Sequence, residues 1–312
     1  MLRQEACSSI ARQGCRGLCP GHFLPVLLMM SILQAILLGI VQGLTEFLPI
    51  SSTAHLILVS KLLQLDQKLT PEQLTGFVAF IQLGTVLALI VYFFPDLWNI
   101  ARGFLTDNLA WLQGRRELGE PARLGWLIVI GSFPVIVFGF GFRKIIEGVL
   151  TKNLYVIAGA LVGLAVFLVV AELVGSRRLK LSDLTWWHAL LIGCGQALAL
   201  IPGASRSGTT ITAGLLLGLD RATAARFSFL LCVPALTGAG LLQFVREVKD
   251  FDPTMLLATV IATVVSGITG YAAIAFLLYF LKTHSMLVFV VYRLVLGGLL
   301  FILLATQRIA PV

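Results

Sequence analysis

Charged residues are scarce in this chain of 312 residues: they make up 12% of the sequence, whereas hydrophobic residues make up 58%. A soluble domain carries about 25% charged residues. The mean hydropathy is +0.96, so we expect an all-α polytopic membrane protein without a separate soluble domain. The net charge is +8, but basic residues do not cluster with aromatic ones, so we expect no nucleic-acid partner.

Cysteine is also scarce, and its spacing excludes the common metal and redox motifs. The chain has five cysteines, of which three lie in the first twenty residues. No CxxC pair and no Cys/His metal spacing occurs. We expect the other two, Cys194 and Cys232, to act as small buried hydrophobic residues.

Residues 1–28 differ from the rest of the chain. They carry three arginines and three cysteines and show little periodicity. An apolar run follows from Phe23, but no small-residue cleavage site follows it, so a cleaved signal peptide is not expected. We predict an N-terminal extension that is disordered, or that precedes a natural start at Met29 or Met30. A native protein that begins at Met1 would contradict the second version.

Six segments are long and apolar enough to cross a bilayer, which needs about 20 apolar residues. Four others are shorter and are interrupted by Pro, Gly, Ser and Thr. Such segments, at matching places in two halves of a chain, indicate re-entrant helices around a site within the membrane. The long segments are 74–94, 124–142, 154–174, 222–245, 255–281 and 286–306, and the short ones are 31–48, 54–64, 186–200 and 209–219.

We therefore predict a single membrane domain over residues 29–312, built from two inverted-topology repeats of roughly 31–150 and 183–306. Each repeat has the same order of a broken helix, a polar loop, a short helix and a Phe-rich span. The complete fold would have about six spanning helices and two re-entrant helix pairs.

Basic residues are unevenly distributed between the predicted loops. Loops 95–123 and 175–185 share a side and hold seven Lys and Arg residues, whereas loop 143–153 on the other side holds three. Because basic loops favour the cytoplasm, we assign the first side to the cytoplasm.

The first polar segment, residues 42–55, sets a carboxylate, hydroxyls and an imidazole into apolar sequence. Gln42 and Glu46 are four residues apart and share a helix face, and we expect their helix to end at Pro49. Such groups could supply a general base, a nucleophile and a cation ligand. The alternative is a polar kink whose hydroxyls satisfy freed backbone groups, but it does not explain Glu46. The residues beyond the helix are Ser51, Ser52, Thr53 and His55.

The second polar segment, residues 196–210, contains Arg206 between glycines and serines. Glycines let a backbone fold around an anion, helix N-terminal amides point at it, and arginine binds phosphate through two hydrogen bonds. No lysine follows the glycines, so this is not a Walker loop. The alternative is an arginine that extends to the membrane surface. We expect a helix to begin at Thr209, and the phosphate-binding neighbours would be Gly203, Ser205, Ser207, Gly208 and Thr210.

Together the two segments resemble the undecaprenyl-diphosphatase family, the membrane phosphatases linked to bacitracin resistance. The resemblance rests on (Glu/Gln)-x-x-x-Glu followed by Pro-x-Ser-Ser-Thr-x-His, seen at 42–55, and on Pro-Gly-x-Ser-Arg-Ser-Gly, seen at 202–208. It extends over nearly all of residues 30–306, including Phe-Ile-Gln-Leu-Gly at 80–84 and Phe-Ser-Phe-Leu-Leu at 227–231.

The resemblance implies hydrolysis of undecaprenyl diphosphate to undecaprenyl phosphate and inorganic phosphate, which recycles the lipid carrier for peptidoglycan. It implies a location in the bacterial inner membrane, a site that opens to the periplasmic side, and a divalent cation such as Mg²⁺ or Ca²⁺. Gln42 occupies the more variable first acidic position, so Glu46 must carry the acidic role alone. The residues that correspond to functional ones are Glu46, Ser52, His55, Arg206 and Thr210.

On this basis Arg206 and the 203–208 loop, together with Ser51 and Thr53, would hold the diphosphate, and Glu46 with Gln42 would hold the cation. Ser52 is the candidate nucleophile, with His55 or Glu46 as its base. A water activated by Glu46 and direct attack by His55 are the alternatives. The expected partners are the lipid diphosphate, membrane lipid and a second copy of the chain in a homodimer.

Three other functions are alternatives to the diphosphatase. A secondary transporter or flippase of a lipid phosphate would share the repeats, the broken helices and the polar site, and flux without phosphate release would favour it. A second class of lipid phosphatase is marked by Pro-Ser-Gly-His, which this chain lacks. A structural scaffold leaves Glu46 and Arg206 unexplained.

Overall fold

The structure is a computed structural model that describes residues 30–114, 118–142, 153–247 and 255–311. Over these ranges the chain forms helices and no strands. The extension predicted at 1–28 and most of the predicted loop 143–153 lie outside the described residues. The α-helices of the described part are α1 Ile32–Phe47, α2 Ser52–Leu62, α3 Pro71–Tyr92, α4 Phe94–Leu112, α5 Glu120–Gly141, α6 Leu154–Val174, α7 Trp186–Leu198, α8 Arg206–Leu216, α9 Arg221–Glu247, α10 Leu256–Phe280 and α11 Leu287–Ala305.

The predicted membrane spans are confirmed. Six helices of the described chain, α3, α5, α6, α9, α10 and α11, are long and apolar enough to cross a membrane, and each end lies within four residues of its predicted position. The four shorter helices α1, α2, α7 and α8 occupy the predicted broken segments. The protein is therefore an all-α, multi-pass membrane protein, and the inverted topology of its two repeats stays a prediction.

The prediction of a loop over 95–123 was wrong, because α4 occupies most of it. This helix buries none of its residues, and Trp98 is among several exposed apolar side chains on it. It packs along α5, where the rings of Phe104 and Trp126 have centroids 5.1 Å apart. Its charged residues excluded it from the predicted spans, but an amphipathic helix tolerates charges on its exposed face.

The two cysteines of the apolar segments differ in burial. Cys232 is buried as predicted, but Cys194 is exposed. The residue before it, Gly193, packs against α5, and one step along a helix turns the side chain by about 100°. Cys194 therefore points away from that contact.

The helix that precedes the polar turn in each repeat packs against a span from the other predicted repeat: α1 packs against α10, and α7 packs against α5. Glycines bring these backbones together. A Cβ placed on Gly39 would lie 2.5 Å from the carbonyl oxygen of Ala262, and one on Gly193 would lie 2.2 Å from that of Gly131. Small residues allow such close approach of helices in membranes, so the two halves interlock at the broken helices.

The same turn precedes α2 and α8. Ser51 and Ser205 have φ angles of 75° and 70°, and each caps its helix by accepting a hydrogen bond from the amide of Ala54 or Gly208, respectively. Positive φ is uncommon for serine, and such strained residues cluster at functional sites. The shared turn agrees with the predicted correspondence between the two polar segments.

The predicted start of the last short helix was wrong by three residues. The helix α8 begins at Arg206 rather than at Thr209, because Ser205 caps it. Gly208 therefore lies inside the helix instead of in a loop. Gly203 makes the preceding bend with a φ of +90°, a conformation that favours glycine.

Candidate active site

A cavity of about 440 Å³ lies between the two polar segments. Its walls come from α1, α2, α3, α9 and the turn that leads into α8. Polar residues of both segments face it, so the structure brings the two polar segments together as the two half-sites of one cavity. Its polar and glycine lining residues are Gln42, Glu46, Ser51, Ser52, Thr53, Ser60, Gln82, Gly203, Ser205, Arg206 and Gln243.

The carboxylate of Glu46 is the centre of the polar contacts in this cavity. Its Oε2 atom accepts a hydrogen bond from Ser52 Oγ at 2.7 Å and another from Gln42 Nε2 at 3.1 Å. Its Oε1 atom lies 3.7 Å from Nη1 of Arg206. Ser52 as the candidate nucleophile, Glu46 as the candidate base and the guanidinium of Arg206 thus belong to one connected group.

Two buried polar atoms of this group have no hydrogen-bond partner in the described chain: the Oε1 atom of Gln42 and the Nη1 atom of Arg206. Buried polar atoms in native proteins are nearly always paired. One of these atoms is an acceptor and the other a charged donor, so they suit a ligand that brings both a cation and anionic oxygens.

Two helix N-termini also point to the cavity. The helix α2 begins at Ser52 and α8 begins at Arg206, and both of these residues line the cavity. The first N–H groups of a helix have no acceptor within it, and the N-terminal end carries a partial positive charge. Together with Arg206, the two ends favour a phosphate group.

Arg293 on α11 was missed by the sequence analysis, although it connects both polar segments. Its side chain is fully buried. It donates hydrogen bonds to the carbonyl oxygens of Pro49 at 3.1 Å, Gly203 at 3.1 Å and Ala204 at 3.2 Å, and to two carbonyl oxygens of α6. An arginine inside a span is itself a signal of function, and that signal was available in the sequence.

His55 does not line the cavity. Its Nδ1 atom is 2.7 Å from the carbonyl oxygen of Ser51, and its Nε2 atom is 2.5 Å from the hydroxyl of Tyr292. Burial lowers the pKa of the imidazole below its ordinary value, the hydrogen bond to Ser51 opposes this, and the charge of Arg293 adds to the lowering. The contacts with Ser51 and Tyr292 thus occupy both ring nitrogens.

Three predicted phosphate-binding residues also do not line the cavity. Ser207 donates a hydrogen bond from Oγ to the carbonyl oxygen of Leu48 at 3.1 Å, which links the two segments. Thr210 is fully buried and contacts the carbonyl oxygen of Arg206 at 2.8 Å and the hydroxyl of Ser228 at 2.5 Å. Their direct binding of phosphate stays a prediction. The three residues are Ser207, Gly208 and Thr210.

The site fits a cation that is shared with a phosphate better than one held by protein alone. No group of three or more His, Cys, Asp or Glu residues comes together in the described chain. Mg²⁺ commonly binds through one or two carboxylates together with substrate phosphates. Glu46 and the unpartnered oxygen of Gln42 match that ligand set.

Comparisons with known proteins identify the family of the chain. A family model described as Bacitracin resistance protein BacA matches residues 35–299. An undecaprenyl-diphosphatase of Syntrophobacter fumaroxidans is 49% identical over 272 residues, which is 87% of this chain and 96% of that protein. An undecaprenyl-diphosphatase of Chlorobium limicola is 45% identical over 89% of this chain and 98% of that protein. The chain belongs to the bacitracin resistance protein BacA family.

Proposed function

We propose that this membrane protein hydrolyses undecaprenyl diphosphate to undecaprenyl phosphate and inorganic phosphate. The reaction returns the lipid carrier to peptidoglycan synthesis and confers resistance to bacitracin. The observation that carries the proposal is the convergence of Glu46, Ser52 and Arg206 in one cavity, together with the names of the relatives.

The chemistry follows from the contacts of Glu46. Ser52 Oγ attacks the terminal phosphorus and passes its proton to Glu46, while the bond to the bridging oxygen breaks and undecaprenyl phosphate leaves. Glu46 gives that proton to the departing undecaprenyl phosphate and is ionised again. It then takes a proton from the water that attacks the seryl phosphate, and returns it to Ser52 Oγ as the bond between phosphorus and Oγ breaks and inorganic phosphate leaves. Arg206 and the two helix N-termini neutralise charge on the phosphoryl oxygens, which is the main requirement of phosphoryl transfer.

We further propose a divalent cation, Mg²⁺ or Ca²⁺, at Gln42 and Glu46. The Oε2 atom of Glu46 already accepts two hydrogen bonds, so its Oε1 atom and the unpartnered oxygen of Gln42 are the ligands left for the cation. When bound, the cation would supply charge neutralisation at the diphosphate.

The cavity is proposed to open to the periplasm from the inner membrane. The cavity residue Gln243 lies near the end of α9. That helix starts beside the basic loop 175–185, where Leu179 pairs with Leu219, and it crosses away from it. Because the basic loop is assigned to the cytoplasm, the opening belongs to the opposite side. Labelling of single cysteines introduced at the cavity mouth, with a reagent that does not cross membranes, tests this orientation.

A homodimer is a separate prediction from the sequence. Light scattering of the purified protein in detergent, with the detergent mass subtracted, distinguishes one copy from two.

The transporter alternative is tested in proteoliposomes that contain undecaprenyl diphosphate. Phosphate release and movement of the lipid between leaflets are measured on the same vesicles, with and without EDTA. Cation-dependent phosphate release supports the diphosphatase. Lipid movement without phosphate release by correctly folded protein would establish the transporter instead.

A further inference from the structure

Two glutamines in the cavity have no role in the reaction described above. Gln82 on α3 and Gln243 on α9 both line the cavity. Neither side-chain amide makes a hydrogen bond within the part of the chain that the structure describes. A polar group within a membrane span is costly without a partner, so these two amides suit a polar ligand.

The two amides lie at the same level of the cavity. The helices α3 and α9 pack against each other, and two contacts between them bracket the glutamines. The contacts are the edge-to-face rings of Phe80 and Phe244, whose centroids are 4.9 Å apart, and the approach of Gly240 to Leu83, where a glycine Cβ would lie 3.2 Å from Cδ2.

The group around Glu46 lies at the same level of the cavity as Gln82 and Gln243. On α10, Ser266 donates a hydrogen bond from Oγ to the carbonyl oxygen of Ile81 at 2.8 Å. The carbonyl oxygen of the same serine would lie 2.6 Å from a Cβ on Gly43. Because Gln82 follows Ile81 and Gln42 precedes Gly43, the two glutamines flank one stretch of α10 and face one cavity.

The wall next to Gln82 is apolar. Leu74 and Val78 precede it by two helical turns and one turn on the same face of α3, and both line the cavity. Among the lining residues that the structure describes, Arg206 is the one cationic side chain. The cavity therefore offers apolar surface, then neutral amides, and a charged group for a single phosphate.

We infer that the amides of Gln82 and Gln243 bind the phosphate that stays on the prenyl chain, while Arg206 and Ser52 take the terminal phosphate. The inference rests on the proposed diphosphatase function. Each amide offers two N–H donors and adds no charge. Neutral donors hold the inner phosphate during the reaction and release the monophosphate product more readily than a second arginine would.

The test compares Gln82→Met and Gln243→Met, which keep the side-chain length and remove the donors, with wild type. Leu83→Met is the matched control, since it alters the same contact between α3 and α9 without removing a polar group. Inhibition of phosphate release is measured with three probes: farnesyl monophosphate, farnesol and inorganic phosphate. The KM and kcat values for undecaprenyl diphosphate are measured in parallel.

We expect each glutamine variant to weaken inhibition by farnesyl monophosphate roughly tenfold, the loss of a hydrogen bond to a charged group, and to raise KM more than it lowers kcat. Inhibition by inorganic phosphate and by farnesol should stay unchanged, which also shows that the site is folded. Unchanged inhibition by farnesyl monophosphate would overturn the inference, and so would weakened inhibition by inorganic phosphate alone. Failure of the proposed function would appear separately, as no phosphate release by wild type.

Discussion

Ser52 donates a hydrogen bond of 2.7 Å from Oγ to the Oε2 atom of Glu46. The two residues lie on α2 and α1, on opposite sides of the break at Pro49. The break therefore brings the N-terminal residue of one helix against the last turn of the other. A carboxylate in this position can take the proton of the serine as its oxygen attacks phosphorus.

Replacement of Ser52 by alanine should lower phosphate release by about a thousandfold or more, because it removes a nucleophile that acts as a unit with its base. Ser60→Ala is the control, since Ser60 lines the same cavity two turns further along α2 and should keep nearly full activity. Initial rates with undecaprenyl diphosphate measure both. Equal activity of the two variants would exclude Ser52 and leave water or His55 as the nucleophile.

Replacement of Arg293 by methionine should destabilise the protein by about 3 kcal/mol or more, because several buried carbonyl oxygens lose their donor. Activity should fall with it, since Pro49 and Gly203 lie in the turns that present the two half-sites. Thermal unfolding in detergent measures the first effect and phosphate release the second.

Arg226→Met is the control for that variant. Arg226 forms an ion pair with Asp96 at 2.7 Å, and its side chain is 47% exposed, so its removal should cost at most about 1 kcal/mol. Similar losses of stability in the two variants would mean that Arg293 does not hold the turns together.

The spans and the two half-sites could be predicted because their signals are local. Apolar length alone identifies a span such as Leu154–Val174, and Glu46 and Arg206 are conspicuous in apolar surroundings. The contact between them could not be derived, because it depends on how α1 and α7 pack against spans distant in sequence. The role of Arg293 could not be derived for the same reason. Its partners Pro49 and Gly203 are distant from it in sequence and come into contact with it only in the folded chain.

Helix ends were harder to predict than helix interiors. The start of α8 was misplaced because a serine with positive φ is an unusual cap, and the sequence pattern gives little sign of it. Likewise α4 resembled a loop, since its charges excluded a span and an amphipathic helix needs no long apolar run.

His55 should affect the rate less than Ser52, because its nitrogens contact Ser51 and Tyr292 rather than the cavity. We expect His55→Gln to lower phosphate release by about tenfold, against about a thousandfold for Ser52→Ala. Single-turnover rates measure both. A loss in His55→Gln as large as that in Ser52→Ala would instead place the histidine in the chemical step.

The same histidine should make stability depend on pH. Burial lowers the pKa of His55 below its ordinary value of 6.5, so the folded state binds fewer protons than the unfolded state in that range, and stability falls as the pH drops through about 6.5. The wild-type melting temperature should therefore fall more between about pH 7.5 and about pH 5.5 than that of His55→Gln. Equal falls would show that other groups cause the dependence.

Gln42 offers a test of the cation site. Gln42→Glu adds a carboxylate next to Glu46, and oxygen ligands of higher charge bind Mg²⁺ and Ca²⁺ more tightly. After EDTA treatment, this variant should regain half of its activity at a several-fold lower cation concentration than wild type. An unchanged requirement would place the cation elsewhere, and full activity in EDTA would argue against a cation.

The most direct test of the whole site is a double-mutant cycle between its two halves. Phosphate release from undecaprenyl diphosphate is measured for wild type, Glu46→Gln, Arg206→Met and the double variant, with each protein shown to be folded by its thermal unfolding. If Glu46 and Arg206 act on one diphosphate, each single variant should lose about a thousandfold or more, and the double variant should be no slower than the slower single one. Full activity in either single variant, or losses that multiply, would contradict a shared site.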